Sequence, residues 1–468
     1  MQKNDLKSVE NKRELLVIGN GFDLECGLKT QYEDFFFEKY GINLIAEIDS
    51  EKNSELEFEH YQKLANQKFI KEFSKAINEQ LDINRLIKEN KDAYGYLVNY
   101  FSQRFKSILH TIDPDNLNNN LRDKRNKKLK TKFTNWDIVF ISSYILMKKG
   151  NEFKWIDIEK AIFEVITTVL LEKKDVFSEE DFLNKYSKDK FIGIVKYCFR
   201  EKKDISTSML DSLVKFEKSF ADYIGDQLNE KWDKYLPAAS KLLEILTRAS
   251  QKQKVKLDVI NFNYSLDENL IDYMKRKNYL PNIEIHSWTN IHGIALWNNA
   301  KTRANINKIH GKKQGKMAAP IFGIDGHDIL TSKINRDLNL DDPRIIFTKS
   351  FRLIDNKINL MRDREHQIQS KMDKIIFFGH SLGHADYSYF ESLFDICDIF
   401  NSNVELEFYY HHHEQSLENR IAERLVLKRI VNLLTSYGET VPEQHGENIV
   451  NRLVLEQRLN LLPSPDIK

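Results

Sequence analysis

Cysteine, proline and glycine are scarce in this sequence, and each scarcity removes a class of protein. The three cysteines among 468 residues, Cys26, Cys198 and Cys397, never approach a Cys-x-x-Cys spacing. That excludes a disulfide-stapled secreted scaffold and a cysteine-based structural zinc module. Eight prolines and seventeen glycines are few for the length, which favours helices over a many-turned β architecture. Charge of one sign is also missing: 71 basic and 70 acidic side chains leave +1, so no global field marks a nucleic-acid or membrane binder. Long apolar runs are absent as well. The longest, 138–147 (IVFISSYILM), is about half a membrane span. The opening MQKNDLKSVENKRE is polar and does not read as a secretory signal. The expectation is a soluble, cytoplasmic protein without a membrane partner.

What is present is ample apolar material, 41% of the chain with 29 Phe and 19 Tyr, enough for a packed interior. Short apolar runs rich in β-branched and aromatic residues predict buried strands at 14–19 (ELLVIG), 257–262 (LDVINF), 319–323 (APIFG), 374–379 (KIIFFG) and 404–410 (VELEFYY). Helical patterns follow at 31–40, 266–276 and 387–400, and strand–turn–helix units of this kind predict a mostly parallel α/β sheet. The units are unevenly spread. We expect the first at 11–45, a helical insertion over 46–250, the remainder of the sheet domain over 251–413, and a helical C-terminal segment over 414–468. A basic stretch, 121–132 (LRDKRNKKLKTK), holds seven basic residues and one acid; it reads either as a solvated loop or as a nucleic-acid contact.

The residues that carry chemistry cluster at predicted strand ends. Gly19, Asn20 and Gly21 form a Gly-x-Gly turn after the first strand, where glycines let backbone N–H groups approach an anion. Leu24 stands where the dinucleotide fingerprint needs its third glycine, and Asp23, beside the turn, suits ribose hydroxyls better than phosphate. Asn263 ends the second strand, where open α/β sheets bind ligands, and Ser265 with Glu268 matches a helix capping box. His292 and His310 each precede a glycine in an Ile-His-Gly triplet, and a histidine there suits general-base work near neutral pH. Gly323, Asp325 and Gly326 follow the second triplet. Gly379-His380-Ser381-Leu382-Gly383 fits the serine-nucleophile elbow, or else a nucleotide cradle completed by Asp386. His411, His412 and His413 are adjacent on a predicted strand, so they cannot converge on one ion, and no metal is expected.

Taken in order, VIGNGFDLECGLKTQYEDF, FKWIDIE, INFNYS, IHG…IFGID, FTKSFRL and FFGHSLGHADYSYF resemble the AbiH-type bacteriophage abortive-infection family. The same skeleton is distantly similar to sirtuin-like NAD-binding domains. The resemblance implies a Rossmann-like, sirtuin-like sheet with a nucleotide pocket, a role in arresting phage-infected cells, a phage-derived trigger and a possible homo-oligomer. It implies NAD as ligand or substrate, hydrolysed to nicotinamide and ADP-ribose. On that reading Gly19, Asn20 and Gly21 match the nucleotide loop, Asn263, His310 and Asp23 the catalytic set, and Gly379, Ser381 and Asp386 the adenosine-side cradle. His310 is preferred to His292 because the APIFGID after it matches the family better. The chain departs from sirtuins in carrying Ser265 where an acid is common and in lacking zinc cysteines, which argues against deacetylation. Two alternatives stay open: a serine hydrolase using the Gly379-Ser381-Gly383 elbow, and a non-catalytic sensor of nucleotides or nucleic acid.

Overall fold

The computed structural model describes residues 12–32, 34–35, 134–137, 139–140, 158–171, 199, 204–295, 320–326, 329, 342–356, 368–412, 416–441 and 446–467. Its centre is a six-stranded sheet in the order β3-β2-β1-β4-β5-β6, with every neighbouring pair parallel. The strands are β1 (Lys12–Ile18), β2 (Val255–Asn261), β3 (Ile283–Asn290), β4 (Lys374–Phe378), β5 (Glu405–Tyr410) and β6 (Leu459–Pro463). Leu15 to Ile18 of β1 are wholly buried because this strand is paired on both edges and covered on both faces.

Alternation along β1 divides the interior into two layers. Leu16 and Ile18 face α2 (Ile158–Leu170), α3 (Ile205–Thr247) and α4 (Glu268–Arg276). Leu15 and Val17 face the other layer, built from α6 (Tyr387–Ile396), α7 (Ser416–Glu439) and α8 (Ile449–Leu455). Two short helices complete the set: α1 (Asn20–Glu25), directly after β1, and α5 (Lys349–Asp355), which precedes β4. Both α2 and α3 come from the chain between β1 and β2. The 43 residues of α3 make it about 65 Å long. Asp204 caps its start by accepting from the Ser206 amide at 2.9 Å, and Arg248 ends it in the left-handed conformation with φ 52°.

The register positions the site. Ile18 pairs with Asn261 on one side and Phe378 on the other, and Asn261 pairs with Asn290. The chain therefore leaves all four strands at one level. Strand order reverses between β1 and β4, and in doubly wound sheets ligands bind in the crevice at that reversal.

Several expectations need correction. The C-terminal segment is not wholly helical: after α8, Leu459–Pro463 joins the sheet edge beside β5. β3 was not expected, because IEIHSWTN interleaves polar residues in a way that an edge strand tolerates and a buried run does not. Of the expected strand at 319–323, the described residues 320–323 form no ladder. Phe322 instead gives its amide to Glu217 Oε1 (2.8 Å) and its carbonyl accepts from Arg352 Nη1 (2.9 Å), so side chains satisfy this backbone. The cap of α4 is Asp267, accepting from the Leu270 amide at 2.9 Å, while Ser265 is turned inward. The basic stretch 121–132 lies outside the described residues, and among these no helix is long and apolar enough to cross a membrane.

Candidate functional site

Two loops cross at the strand-order reversal, and glycine makes the crossing possible. The Gly19 amide donates to Phe378 O at 3.0 Å and the Gly21 amide to Gly379 O at 2.8 Å. A Cβ on Gly21 would lie 2.5 Å from Gly379 Cα, and one on Gly19 would lie 2.5 Å from His380 Cα. Gly379 itself sits at φ +67°, and a Cβ there would meet Phe22 N at 2.5 Å. The glycines are thus required by backbone meeting backbone. One consequence bears on anion binding: the Gly21 amide is already engaged by protein.

Asn263 locks this crossing from β2. Its Nδ2 donates to Gly19 O at 2.8 Å, its own amide donates to Asn261 Oδ1 at 2.8 Å, and its carbonyl accepts from Asn290 Nδ2 at 3.1 Å. Asn20 is half-buried at the lip of the crevice and accepts from the Thr30 hydroxyl.

Asp23 lies within the short helix Asn20–Glu25 that follows the glycine turn and is 1% exposed. One carboxylate oxygen accepts from Tyr235 Oη at 2.7 Å and the other from Ser265 Oγ. Burial pushes its carboxyl from 3.8 up to about 6, against the opposing bonds from Ser265 and Tyr235.

The densest polar cluster centres on Asp386, just before α6. Lys349 Nζ lies 2.6 Å from Asp386 Oδ1 and also donates to Glu159 Oε2 (2.8 Å) and Ala385 O (2.9 Å). His292 Nε2 is 3.5 Å from Asp386 Oδ1, and His380 Nε2 is 3.3 Å from Oδ2. Five separate parts of the chain meet here: the segment after β3 brings His292, the segment after β4 brings His380, α5 brings Lys349, α2 brings Glu159, and the entry to α6 brings Asp386. His380 Nδ1 accepts the Leu382 amide at 2.9 Å, so in the neutral ring Nε2 carries the proton and points it at Asp386. Burial pushes the Asp386 carboxyl up, but the Lys349 ammonium and the two imidazoles hold it well below the usual carboxylate range. Burial alone would lower Lys349; Asp386 and Glu159 instead raise it above the ordinary lysine value. Phe262 walls the cluster, with its ring centroid 4.4 Å from that of His380 and 5.5 Å from that of His292. Two carboxylates against one ammonium leave the cluster formally negative with both imidazoles neutral. Such a site can exchange a proton through histidine and stabilise positive charge.

Of the residues singled out in the sequence, Gly19, Gly21, Gly379 and Asn263 meet at the loop crossing, with Asn20 beside them. Asp386 joins the cluster, and Asp23 lies in the short helix after the glycine turn. Ser381 is exposed, but the left-handed residue is Leu382 (φ 52°), not the serine. No described histidine bonds to its Oγ, unlike the strained, histidine-paired serine of a hydrolase elbow. Asp325 is buried and accepts from Ser388 Oγ at 2.7 Å. His310 lies outside the described residues, whereas His292 reaches the cluster. His411 and His412 are exposed beyond β5, and among the described residues no three of His, Cys, Asp or Glu are grouped to hold a metal.

Four participants escaped the sequence reading: Lys349, Glu159, His380 and Tyr235. Lys349 and Glu159 stand inside FTKSFRL and FKWIDIE, so the signal was present as a segment without a role. His380 was passed over as the variable position of Gly-x-Ser-x-Gly. Nothing local distinguishes Tyr235 within its helix.

Strand order and site together define a parallel α/β protein with a polar cluster at the reversal of its sheet. The chain belongs to the AbiH family of bacteriophage abortive infection, which matches residues 15–410. Its role class is therefore antiphage abortive-infection defence. No curated protein and no solved structure matches the chain.

Proposed function

We propose that this protein is an abortive-infection effector whose crevice between β1 and β4 binds a nucleotide, and that it hydrolyses NAD to nicotinamide and ADP-ribose. One observation carries the reading: the ends of β1 to β4 and the entry to α6 converge on Asp386, His292, His380 and Asn263 at the strand-order reversal. The order 3-2-1-4-5-6 is that of Rossmann-like dinucleotide sites, which supports a nucleotide as ligand.

The residues fit one end of NAD better than the other. With the Gly21 amide engaged by Gly379 O, the pyrophosphate falls to polar groups at the lip, Asn20 and Ser381. The ribose end fits the Asp386 cluster. Cleavage of the nicotinamide–ribose bond passes through an oxocarbenium-like state, and the formally negative cluster suits that charge. His292 would take the proton of the attacking water, with Asp386 stabilising the imidazolium, while His380, whose Nδ1 already accepts the Leu382 amide, holds Asp386 in place. Asn263 and Asp23 act as positioning residues, the first holding the loop at Gly19 O and the second anchoring the short helix that follows it. His310 keeps the role implied by resemblance alone.

Nicotinamide release from NAD, measured with purified full-length protein and phage-infected lysate, tests this. Asp386→Asn and His292→Ala should each lower the rate at least about a hundredfold. Release unaffected by both substitutions overturns the site. NAD binding without release supports a sensor instead of an enzyme, and neither binding nor release overturns the nucleotide reading.

A further inference from the structure

The helix α7 changes character along its length. Its C-terminal half lays Ile430, Leu433, Leu434 and Tyr437 against the sheet. Its N-terminal half carries Leu417, Ile421 and Leu425 at 69%, 60% and 50% exposure. At 3.6 residues per turn, Ile421 lies about 180° around the helix from the buried Ile430. The apolar stripe therefore faces away from the body of the protein. A contiguous stripe of this kind on a surface helix marks an interaction face.

The charges beside it identify what covers it. Glu418, Ile421, Leu425 and Lys428 are all exposed and follow one another at spacings of three, four and three, the seam of a packed helix pair. In chain order the seam reads acid, apolar, apolar, base. Laid antiparallel on a second copy of itself, it sets Ile421 on Leu425 and Glu418 against Lys428, and does so twice. Laid parallel, it sets Glu418 on Glu418 and Lys428 on Lys428. The pattern is thus self-complementary in the antiparallel sense only, as a two-fold interface requires.

We propose that the N-terminal half of α7 is the interface of a homodimer, two copies of the chain packing these helices antiparallel around Ile421 and Leu425. This proposal stands apart from the nucleotide reading, since α7 contributes nothing to the Asp386 cluster. The seam is only about 16 Å long, so the dimer is small in area and concentration-dependent.

Sedimentation velocity of the full chain, from about 1 to about 200 µM, reads the association. The wild type should pass from monomer to dimer across this range. Ile421→Glu should weaken the dimer at least about tenfold. Lys428→Glu, which opposes two acids, should weaken it too, and Glu418→Lys combined with Lys428→Glu should restore it. All these positions are exposed, so at about 1 µM, where the wild type is monomeric, the melting temperatures should stay unchanged, which separates interface loss from misfolding. A wild type that remains monomeric, a dimer indifferent to Ile421→Glu, or a double reversal that fails to rescue would each overturn the proposal.

Discussion

Replacing Asp23 with Asn tests whether the glycine loop rests on a strained buried charge. Burial raises this carboxyl from 3.8 to about 6, ahead of the lowering bonds from Ser265 and Tyr235. A carboxyl whose folded value exceeds its unfolded value costs stability when it ionises. The cost is absent below the unfolded value, grows as pH rises from about 4 to about 6, and is complete above that. The difference corresponds to about 3 kcal/mol. Asparagine keeps the shape: Tyr235 still donates to Oδ1, and Ser265 turns from donor to acceptor, passing its own proton toward Tyr235 Oη at 3.2 Å. With an unfolding entropy of about 2.1 cal/mol/K per residue over the chain, 3 kcal/mol moves Tm by about 3 °C. Calorimetry should therefore find the variant melting about 3 °C above wild type at pH 8 and within about 1 °C of it at pH 4. A lower melting temperature at pH 8 would refute the reasoning, because the carboxylate would then be a net stabiliser. An equal offset at both pH values would show that charge is not the cause.

Substitutions at two close approaches test the architecture. Gly379→Ala places a methyl 2.5 Å from Phe22 N at a positive φ, and should cost about 3–5 kcal/mol in thermal unfolding. Gly27→Ala, at φ +85° with nothing within 4 Å, should cost only about 1 kcal/mol, isolating the close approach from the backbone angle. Arg352→Met leaves Glu217 buried without its guanidinium, which lies 2.7 Å away, and should cost about 3–5 kcal/mol. The Glu217→Leu and Arg352→Met double variant should lose less than the sum of the two single losses by chemical denaturation, and strict additivity would refute the coupling.

How much was legible depends on whether a residue acts through its neighbours in sequence or across the fold. β1, β2, β4 and β5 are runs that must be buried on both faces, so their apolar content exposes them. β3 and β6 lie at the two edges, where His286 or Asn460 is tolerated, and the periodic signal fails. At the site, strand-end position was enough to single out Gly19, Gly21, Asn263 and Gly379, while Asp386 came in as the residue completing the Gly-x-Ser-x-Gly cradle. Their working partners were not readable. That Gly21 meets Gly379 rather than an anion depends on a crossing between residues more than 350 positions apart. The capping-box reading of Ser265 failed for a similar reason: Asp267 offers a better cap locally, and Asp23 takes the serine hydroxyl from a distance.

The chain between β1 and β2 is structurally inseparable from the site it interrupts. Tyr223, Lys231 and Tyr235 stand eight and four residues apart on α3, spacings that keep them on one face. From that face Tyr223 Oη donates to Lys29 O (2.7 Å), Lys231 Nζ to Gly27 O (2.8 Å) and Tyr235 Oη to Asp23 (2.7 Å). The helix therefore runs along the segment of residues 19–30, which holds the short helix Asn20–Glu25, and bonds it three times, while Glu217 of the same helix grips Phe322 and Arg352. At about 1 kcal/mol per bond, the three loop contacts amount to a few kcal/mol. The same segment is held in turn against Asn263 and Gly379 beside the Asp386 cluster. The floor of the site thus belongs to a long helix supplied by the interrupting segment, and shortening that helix should loosen the glycine turn along with it.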